Sequence, residues 1–166
     1  NTVGKNSSDI SLVIDAMDIL HSGRFDGFVL VSSDSAFTSL ANRVREQGLD
    51  VIGVGEAKTP ESLRNVCNRF ILLENIVDEP APAAKGKASG KKDPTKAIPL
   101  IVRAMEKINS DDDWYTLGQL GQYITRDNPD FDPRTYGKRK LSDLISGLSR
   151  FETKKIGTQL HVRRVD

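Results

Sequence analysis

LVSSDSAFTSLANRVREQG, residues 30–48, decides the fold. An apolar run, Phe28 to Val31, stops at Ser32, Ser33 and Asp34. A helical period takes over at Phe37, with Leu40, Ala41 and Val44 on one stripe and Gly48 as a stop signal. The pattern spells a strand, a tight turn and a helix, with a carboxylate in the turn. In open parallel sheets, ligands gather at the carboxyl ends of strands. Asp34 therefore stands where a metal or a phosphate would be handled, and Ala36 follows two residues later.

The flanking segments repeat the alternation. Upstream, Ser8 or Asp9 can cap a helix whose apolar stripe is Ile10, Val13, Ile14, Met17 and Leu20, and HSGRFDG at 21–27 breaks it. FVLVSS then reads as a buried strand. Downstream, Val51 to Val54 makes a second strand, Thr59 and Pro60 open a further helix, and Phe70 to Leu73 reads as a last short strand. Helices and strands alternating this way predict a parallel α/β sheet with right-handed crossovers. The glycines of VIGVGE lack the spaced third glycine of a dinucleotide cradle, so a tight strand-to-loop turn is their expected role. The sheet is small unless an earlier strand precedes Asn1, and a chain that opens on Asn1 rather than Met suggests material upstream.

Residues 79–96, EPAPAAKGKASGKKDPTK, offer almost nothing to bury and read as a flexible basic linker. Two domains follow, at 1–78 and 97–166. In the second, IPLIVRAMEKI is an amphipathic helix, and Ser110 to Asp113 can cap WYTLGQLGQYITRDNP, with Leu117, Leu120 and Ile124 on one face. Leu141, Leu144, Ile145 and Leu148 make a third helical stripe. Phe151 to Lys155 and Leu160 to Val165 alternate around Gly157 as a β-hairpin. Three helices and a terminal hairpin describe a winged helix-turn-helix.

Bulk composition excludes more than it selects. The net charge is +1, but residues 1–78 carry 7 basic and 11 acidic side chains, whereas 79–96 carry 5 and 2, and 97–166 carry 12 and 10. An acidic first part joined to a basic remainder suits a cation site followed by a part that holds an anionic polymer, although ordinary solvated charge gives the same totals. Cys67 stands alone, so there is no disulfide framework, and His21 and His161 are too few for a zinc cluster. No apolar run approaches membrane length and no signal peptide is visible, which favours a cytoplasmic protein without a membrane partner.

Two acids are candidates for one site. In a right-handed crossover the helix runs antiparallel to the next strand, so Asp9 at the helix start can lie near Asp34 at the strand end. Asp15 and Asp18 lie one or more turns further along. Clustered carboxylates suit a hard cation such as Mg²⁺ or Mn²⁺, which can activate water and offset charge on a phosphate. The plainer alternative is a helix cap at Asp9, an Asx-turn at Asp34 and a solvated Asp15. In the second domain, YGKRKL at 136–141 sets Lys138, Arg139 and Lys140 at the start of the third helix, while Lys154, Lys155, Arg163 and Arg164 lie on the hairpin. Cations there can meet phosphates and Tyr136 can stack on a base, or all of them simply solvate the surface. Trp114 and Phe131 are expected in the core.

These segments resemble two families. KNSSDISLVIDAMDIL, DGFVLVSSDSAFTSLANRVREQGLDVIGVGEAKTP and the stretch to ILLENI are similar to the NYN family, a branch of the PIN-like metal-dependent ribonucleases. WYTLGQLGQYI, NPDFDPRTYGKRKLSDLI and FETKK…LHVRRV resemble the LOTUS domain, also called OST-HTH. The order resembles that of bacterial NYN–LOTUS proteins. The resemblance implies a nuclease-type fold whose acids hold Mg²⁺ or Mn²⁺ for RNA hydrolysis, followed by an RNA-binding winged helix. Asp9 matches the acid at the family's helix start, Asp34 the first acid of its turn, and Asp15 a second recurrent helix position. Two features depart from the family pattern. Ala36 stands where the turn usually has a second Asp, and the family's Asp-bearing first strand would lie before Asn1. Two functional expectations follow: a ribonuclease tethered to an RNA-binding domain, or a catalytically degenerate RNA-binding or scaffold protein. A DNA-binding regulator is the weaker third, because the third helix is not rich in base-reading side chains.

Overall fold

In a computed structural model, which describes residues 7–77, 91–108, 110 and 113–165, the chain divides into two units, Asn1–Leu73 and Glu74–Asp166. The first runs through helix α1 (Ser7–His21), strand β1 (Gly27–Val31), a 3₁₀ turn at Ser35–Phe37, helix α2 (Thr38–Glu46), strand β2 (Asp50–Gly55), helix α3 (Glu61–Val66) and strand β3 (Arg69–Leu72). The strands are parallel in the order β1-β2-β3, with Leu30 opposite Gly53 and Gly53 opposite Phe70. This is the expected α/β sheet. Phe37, Leu40, Ala41 and Val44 recur at helical spacing and are all buried. They pack with Leu20, Val51, Leu63, Cys67, Phe70 and Leu72. Gly48 ends α2 at φ +78°, a left-handed backbone that glycine adopts without strain.

Three local expectations need correction. FVLVSS is not a buried strand. β1 is an edge strand among the described residues: Phe28 and Leu30 face the core, whereas Val29 and Val31 on the other face are 67 % and 68 % exposed. The α1 stripe buries only at its carboxyl end, with Leu20 in the core and Val13 and Met17 partly covered, while Ile10 and Ile14 stay exposed. The glycines of β2 do not serve a turn. A Cβ at Gly53 would lie 2.4 Å from the Phe70 ring, and one at Gly55 would lie 2.6 Å from the Ser32 carbonyl oxygen. Both glycines are bare so that Phe70 and the end of β1 can close in on the strand.

The second unit contains helix α4 (Ile98–Ile108), strand β4 (Tyr115–Thr116), helix α5 (Leu117–Asp127), a 3₁₀ turn at Pro133–Tyr136, helix α6 (Leu141–Ser146), and strands β5 (Phe151–Ile156) and β6 (Gln159–Arg164). The strands form an antiparallel sheet in the order β4-β6-β5. Gly157 turns the hairpin at φ +60°. Ile101, Leu120, Ile124, Leu144, Ile145 and Val162 are fully buried at the centre. Each such burial contributes about 1.5–3 kcal/mol. The start of α5 differs from expectation. Thr116, rather than a residue of 110–113, caps the helix by accepting from the Gln119 N–H at 3.2 Å, and its hydroxyl donates to Gln119 Oε1 at 2.8 Å. Trp114 and Tyr115 therefore lead into a strand, not a helix. Most of the stretch read as a linker lies outside the described residues. Its last part is folded: Asp93 caps a 3₁₀ turn at Pro94–Ala97, and the Lys92 N–H donates to the Thr135 carbonyl at 2.8 Å.

Candidate functional site

At the carboxyl end of β1 the chain is held by its own polar side chains. The Asp34 N–H donates to Ser32 Oγ at 3.1 Å, and Asp34 Oδ1 accepts from the Ala36 N–H at 2.9 Å. Ser33 Oγ accepts from the Glu56 N–H at 2.9 Å, which ties the end of β1 to the end of β2. Ser33 thus supports the turn, with Ser32 beside it, while Ser35 stands exposed at the first position of the 3₁₀ turn. The Asx-turn at Asp34 is real, and it leaves Oδ2 of that carboxylate outside the cap.

A cleft of about 320 Å³ opens here, lined by Asp9, Ile10, Val13, Ile14, Asp34, Ala36 and Phe37. The structure brings Asp9 and Asp34 to one cavity, from the start of α1 and the end of β1. Asp15 is not among the lining residues and is exposed elsewhere on α1. Six residues advance a helix by about 600°, so Asp15 leaves the face that Asp9 occupies. Ala36 lines the cleft with a methyl group. Among the described residues no group of three or more His, Cys, Asp or Glu is placed to hold a metal. Magnesium is commonly held by one or two carboxylates, with water and substrate phosphate completing the shell. Asp9 and Asp34 fit the protein's share of such a site and no more than that share.

The cations of the second unit separate on the structure. Arg139 and Lys140 are exposed just before α6, and Lys138 is half-buried. Across the hairpin, Glu152 pairs with Arg163 and Lys154 with His161, whereas Lys155 pairs with Leu160 and Phe151 with Arg164. Strand alternation therefore turns Lys154 and Arg163 to the outer face of the sheet, and Lys155 and Arg164 to the face that also carries buried Phe151 and Val162. Tyr136 does not serve as a stacking platform. It is 7 % exposed, its ring lies 5.9 Å from that of Phe131, and burial, with Asp130 nearby, pushes its phenol pKa up. Phe131 is in the core as expected, but Trp114 is not. Lys154 Nζ lies 5.2 Å and Arg163 Cζ 4.9 Å from its ring centroid. The outer-face role of Trp114 was hidden in sequence, because it depends on β4 pairing with β6 far along the chain.

No helix among the described residues is long and apolar enough to cross a membrane. A family description, NYN domain, matches residues 1–74. A second, OST-HTH/LOTUS domain, matches residues 91–162. No curated protein matches the chain. Among solved structures, the solution NMR structure of an uncharacterized protein from Nitrosomonas europaea is 32 % identical, over 54 % of this chain and 89 % of that one, with a TM-score of 0.39.

Proposed function

Because the chain belongs to the proteins that join an NYN domain to an OST-HTH/LOTUS domain, we propose that it is an RNA-processing protein: a metal-dependent, ribonuclease-type first domain (1–78) tethered to an RNA-binding second domain that takes in the folded end of 79–96 as well as 97–166. The observation that carries this reading is the cleft shared by Asp9 and Asp34 at the carboxyl end of a parallel strand. Asp9 and Asp34 would hold Mg²⁺ or Mn²⁺, which when bound lowers the pKa of water and offsets charge on a phosphodiester. The chain's own residues do the rest. The Asp34 cap fixes one carboxylate at the strand end, and Ile10, Ile14 and Phe37 line the same cleft with apolar side chains. Two carboxylates alone would bind such a cation weakly, and an RNA phosphate would add to the ligands that Asp9 and Asp34 offer. The second domain raises the local RNA concentration through the tether. The cytoplasm is the compartment this reading implies.

A second reading has its own observation. Ala36 puts a methyl on the cleft wall where the family's turn usually has an acid, which favours a degenerate domain that binds RNA without cutting it. Ala36→Asp in the full chain separates the two. The ribonuclease reading expects Mn²⁺-dependent cleavage of a single-stranded RNA to rise by an order of magnitude or more. No cleavage by either protein would leave the scaffold reading.

A further inference from the structure

The three-stranded sheet of the second unit has an outer face that the fold does not need. Trp114, Lys154, Arg163 and His161 share it: Lys154 stands opposite His161 and Glu152 opposite Arg163 in the β5–β6 ladder, and His161 stands opposite Thr116 in the β4–β6 ladder. Two cations lie against one indole, at 5.2 and 4.9 Å from its centroid. Arg163 is held in place by an ion pair with Glu152. His161 Nδ1 is shielded from solvent and has no hydrogen-bond partner. Trp114 is partly exposed and lies outside the buried core, with two cations on its ring and an unsatisfied His161 nitrogen nearby.

We propose that this face is a nucleotide-stacking subsite for single-stranded RNA, with Trp114 as the platform. The inference rests on the reading that the second domain binds RNA. An unpaired base stacks on the indole, and Lys154 and Arg163 take the flanking phosphates. Exposed cation–π contacts are weaker than stacking of a base on an aromatic ring. A base can therefore displace a cation from the ring face, and the displaced cation gains a phosphate. The surface favours unpaired strands, because a duplex keeps its base faces stacked inward.

Trp114 is the sole tryptophan of the chain, so its emission reports the subsite directly. The full chain is titrated, with EDTA present to prevent cleavage, with oligo(A) of about 12 nucleotides and with an A·U duplex of the same length. Emission and the anisotropy of labelled RNA are followed together. The expected result is a saturable change in emission with the single strand and little with the duplex. Trp114→Ala loses about tenfold in single-strand affinity, equivalent to about 1.4 kcal/mol, and Trp114→Phe retains most of it. RNA binding by anisotropy, with emission unmoved and Trp114→Ala unaffected, overturns the subsite and leaves the RNA reading standing. No binding of either RNA overturns both. An equal emission change with an oligoglutamate peptide overturns the subsite as well, because the face would then answer to charge alone.

Discussion

Asp34 holds a structural and a chemical role that two substitutions pull apart. One oxygen, Oδ1, accepts from the Ala36 N–H at 2.9 Å and starts the 3₁₀ turn that runs into α2. The charge of the group is what the cleft offers a cation. Asparagine keeps an acceptor oxygen and caps about as well as aspartate, whereas alanine removes it at about 1 kcal/mol. The unit that contains Asp34, Asn1–Leu73, has an unfolding entropy of roughly 0.15 kcal/mol/K at its midpoint. A loss of about 1 kcal/mol then lowers its transition by about 7 °C. Calorimetry on the full chain should show Asp34→Ala melting earlier by that amount, with Asp34→Asn within about 2 °C of the parent. Manganese-dependent RNA cleavage should fall by at least tenfold in both. If asparagine melts as early as alanine, the cap argument is wrong. If asparagine cleaves like the parent, the carboxylate takes no part in the chemistry.

Gly53→Ala should destabilise the first unit by about 1–3 kcal/mol or more in urea unfolding, because the new methyl would lie 2.4 Å from the buried Phe70 ring and 2.8 Å from Cys67 Sγ. A neutral result would mean that Phe70 yields freely. Lys107 donates to Asp127 and lowers its carboxyl pKa. Since the folded value lies below the unfolded one, the pair contributes above the ordinary aspartate range and fades as pH falls through the folded value. Asp127→Asn should therefore cost a few tenths of a kcal/mol at neutral pH and nothing in acid, as read by pH-dependent melting. RNA affinity should fall with salt, and Lys154→Ala should reduce the slope of the log–log plot by about 1. An unchanged slope would remove Lys154 from the phosphate contacts.

Local patterns survived folding best where one residue's neighbours in sequence are also its neighbours in space. The α2 stripe, its Gly48 stop and the Gly157 hairpin needed only periodicity and backbone preference. Asp9 and Asp34 met in one cleft because a helix that runs back against the following strand brings its start to that strand's end. Readings failed where distant segments decide. YGKRKL looked like an aromatic among cations, but the 3₁₀ turn at Pro133–Tyr136 drives Tyr136 into the core beside Phe131. Trp114 looked like core, and a two-residue pairing of β4 with β6 turned it outward among charges. The glycines of β2 were legible as glycines but not as the seat of Phe70, which enters from the next strand.

Among the described residues β1 has a bare flank, and this has a practical corollary. Its outer row of amides and carbonyls runs alongside side chains as water-averse as Val29 and Val31, and such a border templates the addition of foreign strands. Wherever no further strand covers that flank, concentrated solutions should thicken into fibrous, sheet-rich precipitate. A lone lysine in place of Val29 would act as a gatekeeper and keep the molecules dispersed.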